Sequence, residues 1–378
     1  KQIARICQVD FVSFSFEKDD VKHKVQLEQL GVHVYLVGRE KVSMIDVAQG
    51  VLLDARPFSA VKYDEESMRE MIRTLLMEKK YDLVHVDHIH MTHYRDCFSH
   101  LPCVVDEHNV EFKILERCAD VEKSLVKKFL YTSQAAKMHD FEGFSVNRFS
   151  ACTVVSSHDR KVLSDLTRRN FPIHVLPNGV DTAFFHQADY TKDKGDLAEE
   201  NAIVFTGSMD WLPNNDAVIY FAKEILPLIW KSNPDVKFYV VGKSPSDEIN
   251  ALAGKDRRIV VTGRVDDVRS FIIRSKVFVV PIRIGGGTRL KILEAMSMEK
   301  PIVSTGVGAE GIAYHHGENI VIADEPQAFA NAVLSLMDDQ KRRKRMGALA
   351  RDLVCRAYDW NIVGRKLVEI YEELHVKR

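Results

Sequence analysis

The stretch Val280–Gly311, VPIRIGGGTRLKILEAMSMEKPIVSTGVGAEG, decides how the rest of the chain is interpreted. In order, it contains the end of an apolar strand, a glycine loop, a helix, a second apolar strand and a second glycine turn. The first strand, Val277–Ile282, is a continuous apolar run, which is typical of a parallel strand buried on both faces. This order of elements predicts a doubly wound α/β domain.

The glycine loop and the helix after it predict a diphosphate site. The glycines of residues 285–287 let the backbone turn tightly and approach a ligand closely, and we expect Thr288 to cap the helix. Free amides at the helix N-terminus attract anions. In the first turn, the planar guanidinium of Arg289 can pair with two phosphate oxygens, and Lys291 adds a compact positive charge. Glu294 is placed to accept hydrogen bonds from vicinal sugar hydroxyls. For a glycine triplet alone, the alternative is an ordinary loop with solvated basic residues.

The segment GGGTRLKILEAM, followed by KPIVSTGVGAEGI, resembles the donor-binding segment of retaining GT-B glycosyltransferases of glycosyltransferase family 4. It is similar to the variant in bacterial exopolysaccharide-type sugar transferases. The resemblance implies that Glu294 binds the ribose of a nucleotide sugar. The family signature has two glutamates with seven residues between them, but here Gly286 stands at the earlier position. We expect Glu310, in the second glycine turn, to replace that glutamate as a sugar contact.

The composition bounds the class of protein. A chain of 378 residues exceeds one ordinary core and predicts two domains. Lys and Arg (53) balance Asp and Glu (54), so no global field favours nucleic acid. The chain contains no apolar run of about eighteen residues, so no transmembrane span is predicted. The six cysteines lack paired spacing, which indicates reduced thiols in a cytoplasmic protein. The chain opens without the strand and glycine loop of a doubly wound domain, so we expect that an N-terminal strand is missing.

A second candidate site follows the predicted strand Pro102–Val105. The run DEHNVE, residues 106–111, lies where open parallel sheets bind ligands. His108 can exchange a proton near neutral pH or hydrogen-bond a sugar hydroxyl; a histidine that satisfies local backbone groups is the alternative. DEHNVE also resembles the family segment whose histidine contacts the transferred sugar. We therefore assign His108 a catalytic role and place Asp106 and Asn109 on the acceptor side.

Four histidines, His85, His88, His90 and His93, cluster around the preceding strand. Their spacing fits neither a zinc finger nor a helix-borne pair, and the complement of cysteines or carboxylates is missing. We therefore predict no metal site and interpret them as strand-end and loop histidines.

A basic helical segment leaves membrane contact open. Residues 111–149 are predicted to be helical, with lysines among aromatic and apolar residues, a pattern that can dock on anionic lipid. A solvated helix with a core stripe is the alternative, because acidic residues dilute the charge. The lysines in question are Lys123, Lys127, Lys128 and Lys137.

The second domain is predicted to begin after the turn at residues 177–181, PNGVD, which resembles the family's interdomain linker. Residues 182–200 are polar and are expected to be solvated. The strand Ala202–Thr206 then leads into a loop and a helix capped by Asn215 or Asp216, and the strand Ile259–Thr262 leads into a turn that reads the nucleobase in relatives. With the central stretch, the predicted donor-binding residues are Gly207, Ser208, Gly263, Arg264, Val265, Gly286, Gly287, Thr288, Arg289, Lys291 and Glu294.

The sequence therefore predicts two Rossmann-like α/β domains in a GT-B fold that face a cleft. We expect an N-terminal acceptor-side domain over residues 1–178, a linker over 179–200, a nucleotide-sugar domain over 201–357, and a helix over 358–378 that packs back on the first domain. The resemblance implies a retaining, metal-independent glycosyltransferase that needs no cofactor. Its partners would be a nucleotide diphosphate sugar and a saccharide or lipid-linked saccharide acceptor. A nucleotide-sugar hydrolase or epimerase, or a non-catalytic binding subunit, is the alternative.

Overall fold

The strands of this protein form parallel sheets, as the apolar runs predict. The computed structural model describes residues 2–16, 20–39, 54–168, 170–195, 197–285 and 287–376. Every pair of neighbouring strands in the described residues is parallel. The chain divides into two units, one formed by Lys1–Leu176 with Gly364–Arg378 and the other by Pro177–Val363. Helices alternate with the strands in both units, so the predicted Rossmann-like architecture is confirmed.

The first unit contains two sheets. One has the order β1-β2 and the other the order β3-β4-β5-β6. The strands are β1 (Val9–Ser15), β2 (Val32–Gly38), β3 (Val84–Asp87), β4 (Cys103–Glu107), β5 (Ala151–Val154) and β6 (Ile173–Val175). The helices are α1 (Asp20–Glu28), α2 (Phe58–Val61), α3 (Glu66–Glu78), α4 (Glu111–Val121), α5 (Leu125–Val146) and α6 (Ser157–Ser164), with 3₁₀ turns at Ile3–Arg5 and Ile89–Phe98.

The second unit contains one six-stranded sheet of order β12-β11-β10-β7-β8-β9. The strands are β7 (Glu200–Thr206), β8 (Lys237–Val241), β9 (Ile259–Gly263), β10 (Ser275–Val280), β11 (Ile302–Ser304) and β12 (Val321–Ile322). The helices are α7 (Gln187–Lys194), α8 (Leu212–Tyr220), α9 (Leu226–Ser232), α10 (Asp247–Lys255), α11 (Arg269–Arg274), α12 (Leu290–Ser297), α13 (Pro326–Asp338) and α14 (Gln340–Ala357), with a π-helical turn at Phe221–Ile225 between α8 and α9. One more helix, α15 (Trp360–Val376), follows them.

The central strands carry the core of the second unit. β7 and β10 each contain a continuous apolar run, and the residues Ile203–Phe205 and Val277–Val280 of these runs are fully buried. Such runs are what a parallel strand covered by helices on both faces requires. β10, the glycine loop, α12 and β11 follow one another as the quoted stretch predicts.

The last helix, α15, begins in the second unit and ends in the first. Ile370 and Leu374 pack with Val104 of β4 and Ala151 of β5. The Tyr371 hydroxyl lies 2.8 Å from Nδ1 of His85. The C-terminal residues therefore contribute both apolar and polar contacts to the first unit.

Two helical segments differ from those expected from the sequence. The helix that Asn215 or Asp216 was expected to cap begins earlier, at Leu212, because Pro213 is favourable in a first helical turn. Asp216 consequently does not cap the helix and instead forms an ion pair with Arg283. The predicted helix over residues 111–149 is two helices, α4 and α5, separated by the polar residues 122–124.

Two further expectations differ from the structure. Thr288 does not cap α12, because Arg289 occupies the N-cap position, and its side chain forms no capping hydrogen bond. The segment at residues 182–200 is not simply solvated: it forms α7, buries Tyr190 in the core of the second unit, and pairs Glu199 with Arg343. The buried tyrosine holds a largely polar sequence against the unit, a contact that composition alone does not reveal.

Candidate functional site

The sheet of the second unit has a topological switch point between β7 and β10. The chain runs from β7 outward through β8 and β9, and then returns to place β10 on the opposite side of β7. Loops that leave two strands in opposite directions open a crevice at the carboxyl ends of those strands, where ligands bind in open α/β sheets. The loop after β7 begins with Gly207, and the loop after β10 contains the glycines before α12.

Close approach of backbone segments makes glycine necessary beside this crevice. A Cβ atom on Gly242 would lie 1.7 Å from the carbonyl oxygen of Gly207. A Cβ atom on Gly207 would lie 2.7 Å from Nζ of Lys291 and 2.8 Å from Nδ2 of Asn214. The contact at Gly242 is with backbone atoms, so the ends of β7 and β8 can meet only without a side chain at that position. A side chain at Gly207 would displace the ends of the Lys291 and Asn214 side chains.

Arg289 lies against the glycine loop. Its Nη1 donates to the carbonyl oxygen of Gly287 at 3.2 Å. A Cβ atom on Gly285 would lie 2.8 Å from Nη2 of the same guanidinium. Gly285 and Gly287 have φ values of +125° and +68°, which side-chain-bearing residues rarely adopt. Gly286, which is predicted to bind the donor, lies outside the described residues.

Lys291 points toward the loop after β7. Its Nζ donates to Oδ1 of Asn214 at 2.7 Å and lies 3.8 Å from the centre of the Phe205 ring. Burial lowers the pKa of Lys291 well below its ordinary value, and the cation of Arg289 lowers it further. Burial also raises the pKa of Glu294, which Lys291 partly offsets. A dianionic ligand would restore the favourable charged form of this lysine.

Thr288 supplies a buried hydroxyl at the start of α12. The residue is 9% exposed, and its Oγ1 has no hydrogen-bond partner among the described residues. Buried hydroxyls normally have a partner, and one left without it is costly. A ligand oxygen at the α12 N-terminus would satisfy both this hydroxyl and the uncapped helix amides.

The other predicted donor residues lie in loops at the same edge of the sheet. The Ser208 hydroxyl donates to Asp210, and Gly263 has a φ of +66°. Arg264 is exposed, whereas Val265 packs partly against the core. Glu310 lies in the turn after β11 and is partly exposed.

In the first unit, His108 forms a short ion pair with Asp87. Its Nε2 lies 2.5 Å from Oδ1 of Asp87 and 3.7 Å from Oδ2 of Asp106. The hydrogen bond from His108 lowers the pKa of Asp87, and the same bond raises the pKa of His108. Asp106 is held by the Thr153 hydroxyl at 2.6 Å, and Asn109 donates to Glu111 at 3.3 Å. The imidazole is therefore a candidate proton donor to a ligand.

His88 belongs to this cluster, although the sequence indicated only a strand-end or loop histidine at this position. It follows β3 with φ +82° and ψ 136°, a conformation that a residue with a side chain rarely adopts. Its ring centre lies 5.7 Å from that of His108, and its Nε2 lies 3.6 Å from Oε1 of Glu111. Strained backbone of this kind concentrates at functional sites. The usable signal was its place at the carboxyl end of a strand beside the His108 strand.

The geometry of the stacked pair His88 and His90 is unfavourable for a metal ion bound by both rings. His88, His90 and Glu111 offer ligand atoms within 4.8 Å of one another. However, the two imidazoles are stacked, with centres 4.2 Å apart and planes 20° apart. A zinc ion bound by imidazole nitrogens lies near the plane of each ring at about 2 Å, and nearly parallel stacked planes do not meet there.

Glu107, next to His108, is a buried acid. Only 1% of the residue is exposed, and neither carboxylate oxygen has a partner among the described residues. Burial raises its pKa well above the ordinary value, and the neighbouring carboxylates of Glu142 and Glu111 raise it further. Glu107 is therefore neutral over a wider pH range than an ordinary glutamate.

The two halves of the chain match two family descriptions. Residues 24–184 match "Glycosyltransferase Family 4", and residues 200–339 match "Glycosyl transferases group 1". The fold and the switch-point crevice thus belong to a two-domain α/β glycosyltransferase. This chain belongs to the group 1 glycosyltransferases of glycosyltransferase family 4.

Individual relatives share less than a third of their aligned residues with this chain. An uncharacterised 44.6 kDa protein in the cps region of Klebsiella pneumoniae is 24% identical over 93% of this chain and 88% of its own length. Phosphatidyl-myo-inositol mannosyltransferase of Mycolicibacterium smegmatis is 29% identical over 56% of each chain, so that alignment spans about half of either protein.

Solved structures confirm the GT-B fold. Sucrose-phosphate synthase from Thermosynechococcus elongatus superposes with a TM-score of 0.72 over 98% of this chain and 100% of its own, at 14% identity. Anabaena HepE in complex with UDP and glucose gives a TM-score of 0.67 over 97% and 99%, at 15% identity. At such identities the likeness shows the fold alone.

Proposed function

We propose that this protein transfers a sugar from a nucleotide diphosphate sugar to an acceptor hydroxyl with retention of anomeric configuration. The observation that carries the proposal is the meeting of Arg289, Lys291, the Thr288 hydroxyl and the uncapped α12 N-terminus at the switch point. Each of these groups is suited to a diphosphate, and together they define one anion site. Membership of the glycosyltransferase family supports the reaction class.

In the proposed reaction the bond between the anomeric carbon and the diphosphate oxygen breaks. A bond to the acceptor oxygen forms on the same face of the sugar, and the acceptor's hydroxyl proton passes to the leaving diphosphate. Negative charge accumulates on that diphosphate, so fixed donors around it stabilise the transition state. Arg289, Lys291 and the helix amides supply this countercharge, and we propose that they do so without a metal ion or other cofactor.

The remaining site residues take roles in binding the donor and the sugar. Glu294 accepts hydrogen bonds from the ribose, and the turn Gly263–Val265 contacts the base. Glu310 holds a sugar hydroxyl and so replaces the first glutamate of the family signature, at whose position this chain has Gly286. In the first unit, His108 donates to the transferred sugar, because its pairing with Asp87 favours the protonated imidazole.

The acceptor is proposed to be a saccharide or a lipid-linked saccharide in polysaccharide or glycolipid synthesis. The relative in the Klebsiella cps region and the phosphatidylinositol mannosyltransferases support this class. None of the helices in the described residues combines the length and apolar character needed to cross a bilayer. We propose a cytoplasmic protein that meets the membrane peripherally at the start of α5, where Leu125 and Phe129 are 83% and 71% exposed beside Lys127 and Lys128.

Calorimetry with a panel of UDP-, GDP-, ADP- and dTDP-sugars tests the donor site. We expect one nucleotide class to bind, with affinity unchanged by excess EDTA. Arg289→Ala and Glu294→Ala should each weaken binding at least tenfold, since each removes a charge-assisted hydrogen bond. Asn361→Ala, outside the donor loops, serves as the control. Absence of binding to every donor would contradict the proposed donor site.

Turnover then separates the reaction classes. Transfer to an acceptor with the donor's anomeric configuration kept supports the proposal. Consumption of the donor without an acceptor would indicate a hydrolase or epimerase, and donor binding without any turnover would indicate a binding subunit. Glu310→Ala should lower both donor affinity and turnover, and unchanged values would remove Glu310 from the site.

A further inference from the structure

The side chain of Asn214 bridges the two loops at the switch-point crevice. Asn214 is buried, and it lies in the first turn of α8, on the loop side of β7. Its Nδ2 donates to the carbonyl oxygen of Ser208 at 2.7 Å, while its Oδ1 accepts from Nζ of Lys291 at 2.7 Å. One side chain thus connects the loop that follows β7 to the helix that follows β10.

These partners fix the orientation of the amide. With the amide reversed, its NH₂ group would face an ammonium and its oxygen would face a carbonyl oxygen, and both contacts would be repulsive. The arrangement leaves Oδ1 pointing at Lys291. Because Ser208 holds the other end, the acceptor cannot follow the lysine if that side chain moves.

Lys291 needs such a restraint. Its ammonium sits at the end of a flexible four-carbon stem, and Oδ1 of Asn214 provides the one hydrogen bond that the described residues give it. The Phe205 ring lies beneath Nζ at 3.8 Å and attracts a cation without fixing its direction. Gly207 leaves the space that the pair occupies.

The Asn214 side chain is uncharged, and this matters as much as the position of its oxygen. A carboxylate at this position would hold Lys291 but would cancel its charge. An amide oxygen orients the ammonium and leaves its positive charge and remaining N–H groups for an anion. The loop itself, residues 207–216, contains no lysine or arginine, so its contribution is to position a cation from the neighbouring helix.

We propose that Asn214 is a positioning residue of the donor site, which fixes Lys291 Nζ at the switch point so that it meets the diphosphate of the bound nucleotide. This inference rests on the proposed function, because it assigns Asn214 a role in that same site. It also distinguishes Asn214 from Asn215, whose Nδ2 donates to the carbonyl oxygen of Met209 and which has no hydrogen bond to Lys291 among the described residues.

A double-mutant cycle with inorganic pyrophosphate as the probe tests the proposal. Asn214→Ala should weaken pyrophosphate binding about ten- to a hundredfold, the range for losing a hydrogen bond to a charged group. Lys291→Met should weaken it at least as much. If Asn214 acts through Lys291, adding Asn214→Ala to Lys291→Met changes affinity little further. Asn215→Ala is the matched control and should bind as the wild type does.

A pH profile supplies a readout that a purely structural role would not move. Wild-type affinity should fall as the pH rises through the depressed pKa of Lys291, whose charged neighbours are Arg289 and Glu294. Asn214→Asp keeps the acceptor oxygen but adds a negative charge, which raises that pKa and moves the falling limb to higher pH. The titration of pyrophosphate is common to all variants and cancels in the comparison.

The outcomes separate this inference from the proposed function. Non-additivity with Lys291 together with the shifted limb in Asn214→Asp supports the positioning role. Additive losses, or an Asn214→Ala variant that binds pyrophosphate as tightly as Asn215→Ala does, would overturn it while leaving the donor site intact. If the wild type binds neither pyrophosphate nor any nucleoside diphosphate, both proposals fail. Thermal melts of each variant exclude loss of folding as the cause.

Discussion

The backbone of His88 gives a prediction that separates strain from side-chain function. With φ +82° and ψ 136°, the residue lies in a region that glycine enters freely and alanine does not. His88→Gly and His88→Ala remove the same imidazole, so they differ mainly in how well they tolerate this conformation. We therefore expect the glycine variant to be the more stable of the two, which reverses the usual order of glycine and alanine.

The size of the difference follows from two opposing terms. A non-glycine residue held in a sparsely populated region costs about 1–3 kcal/mol. Glycine loses about 0.4–1 kcal/mol relative to alanine, because its unfolded chain has more freedom. The balance favours His88→Gly by about 1 kcal/mol, which corresponds to a shift of about 2–4 °C in melting temperature for a unit of this size.

Urea denaturation and thermal melts of the two variants measure this difference directly. The first unit should be followed with a probe of its own, because two units need not unfold together. Sugar transfer should fall to a similar extent in both variants, since both lose the ring beside His108. Equal stability, or a more stable His88→Ala, would refute the claim that the site stores backbone strain.

Three further predictions concern other parts of the chain. Gly242→Ala should lower the free energy of unfolding by about 3 kcal/mol or more, or prevent folding, because its Cβ would lie 1.7 Å from the Gly207 carbonyl oxygen. Gly254→Ala, where a Cβ meets nothing within 4 Å, is the matched control and should be neutral or slightly stabilising in urea denaturation. The wild type should lose stability as the pH rises from about 4.5, because the carboxyl of Glu107 ionises there in the unfolded chain while the folded one keeps its proton. Glu107→Gln should not show this loss, and melts with the same pH dependence in both proteins would contradict the prediction. Leu125→Ser with Phe129→Ser should reduce sedimentation with phosphatidylglycerol vesicles at least severalfold, with Met77→Ser, also exposed but on α3, as the control.

Local sequence patterns accounted for much of the fold. The apolar runs of β7, β10 and β11 and the glycines between them could be recognised because burial on both faces and close backbone approach each demand a residue type at fixed spacing. The ends of the helices were harder to predict from the sequence. The break at residues 122–124 divides a predicted helix, and the start of α4 is held by Glu142, which accepts from the amides of Glu111 and Phe112 at 2.6 and 3.3 Å. A partner some thirty residues away leaves no local signal.

Arg289, Lys291 and Glu294 could be placed after a glycine loop at the start of a helix from the order of residues alone, because they are neighbours in the chain. The groups that they contact depend on the strand order of the folded sheet. β10 pairs with β7 although β8 and β9 lie between them in sequence, and this strand order brings Asn214 within 2.7 Å of Lys291 across 77 positions. In the same way, the pairing of β3 with β4 brings Asp87 and His88 beside His108. Strand order is set by the packing of whole helices and sheets, so contacts across it cannot be derived from local periodicity.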